Sequence, residues 1–413
     1  MRRFEDGQAG KFYEVELVAN ELHSRAGQLG KAGRRTVKVH EDEARAMAAL
    51  EKKVAEKLKQ GFREVAPGLP DESGVRLPDG WLKLVLPRQG GRWRPRLLTL
   101  PIDEALALGR QKLEQSPPHA APRWKAALAA FSRGDEATLE EAAAMGWALA
   151  HARDASKARR ALVDFWMQKY DPALATAAIM ETDLLMERHA ERPDPSWDVD
   201  YFYRLRKHLG LAEPEGYRLA LQVAAERRKA ISVTSRVRTA FLFPTEKRWL
   251  LQDLDRVSPT DFRWLVGCVG DPETATRVLA RGGLGCLVSS AHNLVPTLLD
   301  GLGAGAAAVL AEFVDDRRLE SDAVGPLARA LAAIPRPEAL DSLLRMVRHH
   351  KRARPALEEA LERFPRLGLE ILSRHQVEQG LAQATLERHP QALEAIRDHL
   401  SQPQLAFLSK VAR

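Results

Sequence analysis

Short runs of alternating apolar and polar residues open the chain. Residues 11–19 follow a period of two, which is typical of a half-buried β-strand. The apolar positions are Tyr13, Val15, Leu17 and Ala19, and the opposite positions are Glu14 and Glu16. Residues 21–25 and 34–40 predict two further strands, and the three glycines within residues 26–33 predict a loop or a bulged ribbon between them.

The pattern then changes to a helical period over residues 41–60. The predicted buried face comprises Ala44, Met47, Ala48, Val54, Ala55 and Leu58. Gly61 suits the position just past the helix, and lysines suit the negative end of the helix dipole. Residues 62–65 predict a closing strand. Residues 1–66 are therefore predicted to form an α+β domain, a small antiparallel sheet with one long helix against it.

The rest of the chain divides into two pieces by composition. Residues 67–134 are dense in proline and glycine, which predicts a linker with local order. Two apolar runs flank residues 88–92 and predict a hairpin or two short strands with a glycine turn. Residues 135–413 contain segments with apolar residues at i, i+3 and i+4, which predict an all-α region.

The helical segments of the third piece are too short to bury their apolar stripes alone. They therefore need helical neighbours, and the sequence LERFP at residues 361–365 recurs as LERHP at residues 386–390. These features predict an α-solenoid of HEAT-like helical hairpins. A helical domain without repeats is the alternative.

The positive charge is concentrated in the first third of the chain. Residues 1–134 contain 25 Lys and Arg against 17 Asp and Glu, a net +8, whereas the remainder has 38 against 39. A basic domain beside a neutral one suggests an anionic partner such as nucleic acid or a phosphorylated surface. The alternative is that the charge only aids solubility.

The order of strands, glycine-rich turn and helix in residues 1–66 resembles the WGR domain, which is named for a Trp-Gly-Arg run. Here the run is Ala26-Gly27-Gln28-Leu29-Gly30, and the family's Lys-x-x-Gly-Tyr ending is matched by residues 59–62. The resemblance implies the sheet-and-helix fold. In poly(ADP-ribose) polymerases this domain contacts DNA near a break, and the Trp and Arg that take part are replaced here by Ala26 and Gln28. The helical region resembles the tails of bacterial WGR proteins of the molybdate-metabolism regulator type.

Two groups of residues are predicted to bind nucleic acid or phosphate. Cations beside a glycine turn form anion pockets together with backbone N–H groups. The first group comprises Gly27, Gln28, Gly30, Lys31, Arg34, Arg35 and Lys38, and its alternative is a solvated hairpin end. The second comprises Arg92, Trp93, Arg94 and Arg96, in which base and aromatic alternate. Its alternative is an exposed strand whose Trp packs on a sheet.

Other motifs are assigned structural roles. The basic runs at residues 227–238 and 348–354 are interpreted as solvated faces, with a concave binding surface as the alternative. Residues 301–306 satisfy G-x-G-x-x-[GA] but lack a preceding strand, so they predict a turn between helices. No metal site is expected at residues 198–200 or 349–350. Cys268 and Cys286 are expected to be buried thiols.

The sequence lacks the motifs of the common catalytic classes, so the protein is expected to be non-enzymatic and without a cofactor. The favoured hypothesis is a nucleic-acid or phosphate-binding protein, which binds without sequence preference through both basic groups of the N-terminal third. Its helical region is expected to bind a second partner, such as a protein. The alternative is a protein-interaction scaffold that no longer binds DNA, and an enzyme of unrecognised type is a third hypothesis. No membrane segment or signal peptide is expected, and the expected location is the cytoplasm.

Overall fold

A computed structural model describes most of the chain. The described residues are 2–6, 11–28, 34–65, 74–78, 80–115, 121–133, 137–188, 196–258, 261–282, 288–289, 292–314 and 321–412. The chain forms two compact units. The first comprises residues 1–71 with 386–398, and the second comprises residues 72–385 with 399–413.

The first unit contains an antiparallel sheet in the order β4-β3-β2-β1-β5. Its strands are β1 (Arg2–Asp6), β2 (Lys11–Val18), β3 (Glu21–Gln28), β4 (Arg34–Val39) and β5 (Arg63–Val65). Strand β1 was not predicted, and β3 extends through residues 26–28, the start of the segment predicted as a loop or a bulged ribbon. The remaining glycine-turn residues, 29–33, lie outside the described part.

Helix α1 (Glu43–Lys59) packs on one face of this sheet. Asp42 caps its N-terminus by accepting the amide of Arg45 at 2.7 Å, and Gly61 follows it with φ +88°, a conformation that favours glycine. The core contains Phe4, Tyr13, Val15, Leu22 and Val54.

The predicted inner face of α1 was wrong except at Val54. Ala46 is buried and Leu50 is partly buried, whereas Met47 and Leu58 are 44% and 48% exposed. Ala44, Ala48 and Ala55 are exposed as well. Alanines lie on more than one side of this helix, so the sequence allowed two different faces to be chosen as the buried one. The helix packs on the sheet with the face that contains Ala46, Leu50 and Val54.

The described chain after β5 is helical apart from the segment before α2 and a small ribbon. Its helices are α2 (Ile102–Glu114), α3 (Ala121–Arg133), α4 (Leu139–His151), α5 (Ser156–Lys169), α6 (Pro172–Arg188), α7 (Trp197–Leu211), α8 (Pro214–Arg227), α9 (Val233–Leu242), α10 (Lys247–Asp253), α11 (Phe262–Val266), α12 (Pro272–Gly282), α13 (Val295–Leu302), α14 (Ala306–Ala311), α15 (Ser321–Leu331), α16 (Pro337–His349), α17 (Arg354–Arg363), α18 (Pro365–His375), α19 (Gln379–Arg388), α20 (Gln391–Ile396) and α21 (Gln402–Val411). Part of α19 and all of α20 fall in residues 386–398. Strands β6 (Val288–Ser289) and β7 (His292–Asn293) form the ribbon.

The helices pack in a regular order along the chain. Helix α4 packs on α6, α5 on α7, α6 on α8 and α7 on α9, and the same step of two recurs from α12·α14 to α16·α18. In the described part of the chain, no helix combines the length and apolar character needed to cross a bilayer.

Residues 81–101, predicted as a hairpin or two short strands, contain no strand. A 3-10 helix covers Trp81–Leu84, and an extended segment follows up to α2. Residues 102–133, assigned to the linker, form α2 and α3, which pack on α5 and α4 respectively. The second piece is therefore not a bare linker, although the boundaries of the three pieces stay predictions.

The segment from residue 74 to residue 101 lies along the helices of the second unit. The amide of Arg76 donates to the carbonyl of Ala333, just past α15, at 2.9 Å. The amide of Leu86 donates to Thr297 Oγ1 in α13 at 3.0 Å, and Gln168 in α5 donates to the carbonyl of Leu100 at 2.9 Å. The backbone groups of the segment are thus satisfied by the helices rather than by a β-ladder.

Candidate nucleic-acid interface

Strand β4 holds the described cations of the first predicted group. It is the outermost strand of the described sheet. Arg34 lies opposite Ala26, and Lys38 lies opposite Leu22, which faces the core beneath α1. Both cations therefore belong to the helix-covered face but at its open edge, where their side chains are exposed. Among the described residues, neither is assigned an ion pair.

The family's Trp and Arg positions lie on β3 beside this edge. Ala26, which stands where the family has Trp, pairs with Tyr13 on one side and Arg34 on the other, and it is exposed. Gly27 pairs with Phe12, and Gln28 pairs with Lys11. The backbone of Arg35 pairs with that of Arg25. Gly30 and Lys31 lie outside the described residues.

On the opposite face of the sheet, the Arg25 cation is paired and β4 presents valines. The Arg25 guanidinium lies 5.4 Å from the ring centre of Phe12 and 3.7 Å from a carboxylate oxygen of Glu14. Val37 and Val39 are 48% and 63% exposed, although their alternation with Thr36 and Lys38 is as predicted. The described side chains of β4 are therefore exposed on both faces of the sheet.

The second predicted group lies in the other unit of the chain, in the extended segment after a turn at Gly90, which has φ +71°. We call residues 92–100 the outer arm. Arg92, Arg94 and Arg96 are exposed, Trp93 is half-buried, and Pro95 is buried. The amide of Trp93 donates to Asp300 at 3.4 Å, and Arg94 donates to the carbonyl of Leu211 at 3.1 Å. These bonds lay the outer arm on α7 and α13.

Residues 85–89, which we call the inner arm, run along α7 towards its C-terminus. Arg206 of α7 is fully buried and donates to the carbonyls of Pro87, Gly267, Leu86 and Phe241. Arg88 donates to the carbonyls of Cys268 and Val269, just past α11. The two guanidiniums thus satisfy carbonyls that the end of α11 leaves open.

Side chains of α7, with Arg160 of α5 nearby, add cations along the segment from residue 83 to residue 98. Arg204 donates to the carbonyl of Leu98 at 2.5 Å, and Lys207 donates to that of Lys83 at 3.2 Å. Burial lowers the pKa of Lys207, and the nearby charges of Arg204 and Arg160 lower it further. Sequence reasoning missed these three residues. They lie 60 or more positions from the outer arm in the sequence, and no local pattern connects them to it.

The basic run at residues 227–238 is not the solvated face that was expected. Arg228 is 5% exposed, and with Arg236 it binds the fully buried Asp253. Arg238 pairs with Asp183 at 2.6 Å and with Asp198 at 3.3 Å. The partner acids come from other helices. Because the run itself contains no acid, its sequence contains no sign of these ion pairs. In the run at residues 348–354, the side chains of Arg348, His349, Lys351, Arg352 and Arg354 are exposed, as expected.

The remaining motifs have structural roles. Residues 301–306 form the end of α13 and the turn into α14, as predicted. Cys268 is buried, and burial raises the pKa of its thiol to about 11, which makes it a poor nucleophile at neutral pH. Cys286 lies outside the described residues. Within the described ranges, no group of three His, Cys, Asp or Glu is arranged to hold a metal ion.

Residues 1–68 match the WGR domain family. No curated protein and no solved structure matches the chain. The WGR domain is therefore confirmed for the sheet-and-helix part. The HEAT-like repeats and the resemblance of the helical region to the tails of molybdate-regulator-type proteins stay predictions.

Proposed function

We propose that this protein is a non-enzymatic nucleic-acid-binding protein, in which the WGR domain contacts the phosphate backbone without sequence preference. WGR domains are generally nucleic-acid-binding modules. The observation that most supports the proposal is the open edge of β4, where Arg34 and Lys38 are exposed on one face without an ion pair among the described residues. Unpaired exposed cations are the groups that bind phosphate and release counterions.

We further propose that the helical region is an α-solenoid that binds a second macromolecule. The step of two in its helix packing supports this, because each helix of a solenoid contacts the equivalent helix of the next repeat. The two echoed sequences support it as well. LERFP spans the end of α17 and the start of α18, and LERHP spans the end of α19 and the residues before α20.

The test is duplex binding by the full chain over a range of salt concentrations. The logarithm of affinity on B-DNA falls with the logarithm of salt concentration with a slope of about −0.9 for each phosphate contacted. Arg34→Ala with Lys38→Ala should therefore reduce the slope by about 1.8 if both side chains contact phosphate. Lys229→Ala with Lys351→Ala removes the same charge from exposed positions of the helical unit and should leave the slope unchanged.

A protein-interaction scaffold is the second candidate. The replacement of the family's Trp and Arg by Ala26 and Gln28 favours it, as do the exposed valines of β4. It predicts no duplex binding even at low salt, where the phosphate contribution is largest, and one stoichiometric protein partner that persists after nuclease treatment. A normal salt slope that falls in the β4 variant would exclude it.

A further inference from the structure

The outer arm presents a row of cations. Arg92, Arg94 and Arg96 are exposed, while Trp93 is half-buried and Pro95 is buried. The chain bends at Arg92 and then runs on without regular secondary structure. The alternation of exposed and covered positions places the three arginines on the solvent side of the outer arm, within a span of five residues.

The surroundings of the row are positive as well. Residues 80–102 contain five basic residues and no acidic one, and of the five only Arg88 is buried. Two carboxylates of α5 and α7 are already engaged with cations and one histidine. Asp164 binds Arg204 and His208, and Asp200 binds Arg159 and Arg160. Asp300 is the carboxylate nearest the row: it accepts from the amide of Trp93, and its charge interacts with those of Arg88 and Arg92. Among the described residues, the exposed guanidiniums of the row form no ion pair with a carboxylate within 4.0 Å.

The contacts that hold the outer arm in place leave donors of these arginines available for a ligand. Arg94 uses one nitrogen for the carbonyl of Leu211, which leaves other donors of its guanidinium for a ligand. Arg92 lies 5.7 Å from the ring centre of Trp93, and no partner is described for Arg96. The carbonyls of Leu98 and Leu100 are held by Arg204 and Gln168. The backbone is therefore anchored at several points, which lowers the entropy lost when a ligand binds.

Two apolar side chains accompany the row. Trp93 is half-buried, so part of its ring is accessible, and Leu98 is 72% exposed. Proteins that bind single strands combine a basic track with aromatic or apolar groups that contact unpaired bases. In a duplex these base faces are stacked and hidden, so the apolar groups would gain nothing there.

We propose that the outer arm binds the sugar–phosphate backbone of a single nucleic-acid strand, with Arg92, Arg94 and Arg96 on successive phosphates and Trp93 against a base. This proposal rests on the proposed nucleic-acid function, and it adds a second site and a preferred form of the ligand. An acidic peptide is the other polyanion that such a row could attract. A peptide has no base to place on Trp93, so the nucleic acid is favoured.

The experiment compares three forms of the full chain on a single-stranded oligonucleotide of mixed sequence and on the matching duplex. The first variant combines Arg92→Gln, Arg94→Gln and Arg96→Gln. The control removes three exposed charges elsewhere, by Lys229→Gln, Arg348→Gln and Lys351→Gln. Affinity is measured from about 50 to 200 mM salt, a range in which phosphate contacts change it strongly.

The arm variant should lose about 2 units of salt slope on the single strand, since each phosphate contact contributes about 0.7 there. The control should retain the wild-type slope. Trp93→Ala should weaken single-strand binding roughly 5- to 100-fold, as loss of one stacked base implies, without changing the slope. Poly-glutamate should compete poorly against the oligonucleotide.

Several results would overturn the proposal. An unchanged slope in the arm variant, an equal loss in the control, or equal competition by poly-glutamate would each do so. If the wild-type protein binds the duplex but not the single strand, the proposal for the outer arm is wrong and the proposed function of the WGR domain is unaffected. If it binds neither, both proposals are wrong.

The variant also needs to be folded, because Arg94 contacts the end of α7. Arg96→Gln alone tests one contact at a position without a described partner, and it should reduce the slope by about 0.7. Replacing all three arginines by lysine keeps the charge and should keep most of the slope. A lysine variant that loses the slope with unchanged circular dichroism would contradict a phosphate role.

Discussion

The fully buried Arg206 provides the strongest test of how the inner arm is held. Its guanidinium donates to Pro87 at 3.0 Å, to Gly267 at 3.1 Å, to Phe241, and at 3.4 Å to Leu86. These carbonyls belong to the arm, to the end of α9 and to the residue after α11. Arg206→Met keeps a side chain of similar length but removes every one of these donors.

The magnitude follows from two opposing contributions. Three well-formed hydrogen bonds to a charged donor are each worth about 1.5–3 kcal/mol. Burial, and then the nearby charge of Arg88, lower the pKa of Arg206 to about 10, so the group is still charged at neutral pH and its desolvation opposes folding. Removing the cation removes the free-energy cost of desolvating it, but it leaves the buried carbonyls without hydrogen-bond donors. The net loss in the free energy of unfolding should be about 3–5 kcal/mol.

Urea denaturation followed by tryptophan fluorescence measures this loss. All eight tryptophans lie between residues 81 and 264, so the signal reports the helical unit and not the WGR domain. The urea concentration at the midpoint should fall, while the slope of the free energy of unfolding against urea concentration stays constant. Arg218→Met, at a 58% exposed side chain of α8, should change nothing measurable. If Arg206→Met came within about 1 kcal/mol of wild type, the arm would not depend on these bonds.

Two further changes test the corrected parts of the fold. Gly109→Ala should destabilise the helical unit by about 1–3 kcal/mol, because the added methyl would lie 2.3 Å from the ring of Phe131, so α2 and α3 would have to separate. A variant as stable as wild type in the same urea titration would argue that residues 102–133 are a linker after all. Asp253→Asn should cost about 3 kcal/mol, since two arginines would lose their buried carboxylate. Its control is Glu215→Gln at an exposed pair, and equal midpoints for the two variants would contradict the buried network.

The sequence alone was sufficient for the class of each unit. Period-two alternation located β2, where apolar and charged residues alternate over residues 13–17, and β4, where apolar and polar side chains alternate although both faces are exposed. The turn predicted at residues 20–21 located β3. The glycine at position 61 and the lysines before it located the end of α1, since helix termination depends on nearby residues. The WGR domain followed from these local features together with the order of the elements.

The arrangement of charges depended on tertiary structure. The same local pattern of consecutive arginines is solvated in residues 348–354 and buried against Asp253 and Asp183 in residues 227–238, because the partner acids come from distant helices. Likewise, nothing near residues 85–100 in the sequence shows that Arg204, Arg206 and Thr297 take their backbone hydrogen bonds in place of a hairpin partner. A β-ladder and a helix surface satisfy the same amides and carbonyls, and only the three-dimensional packing determines which of them is within reach.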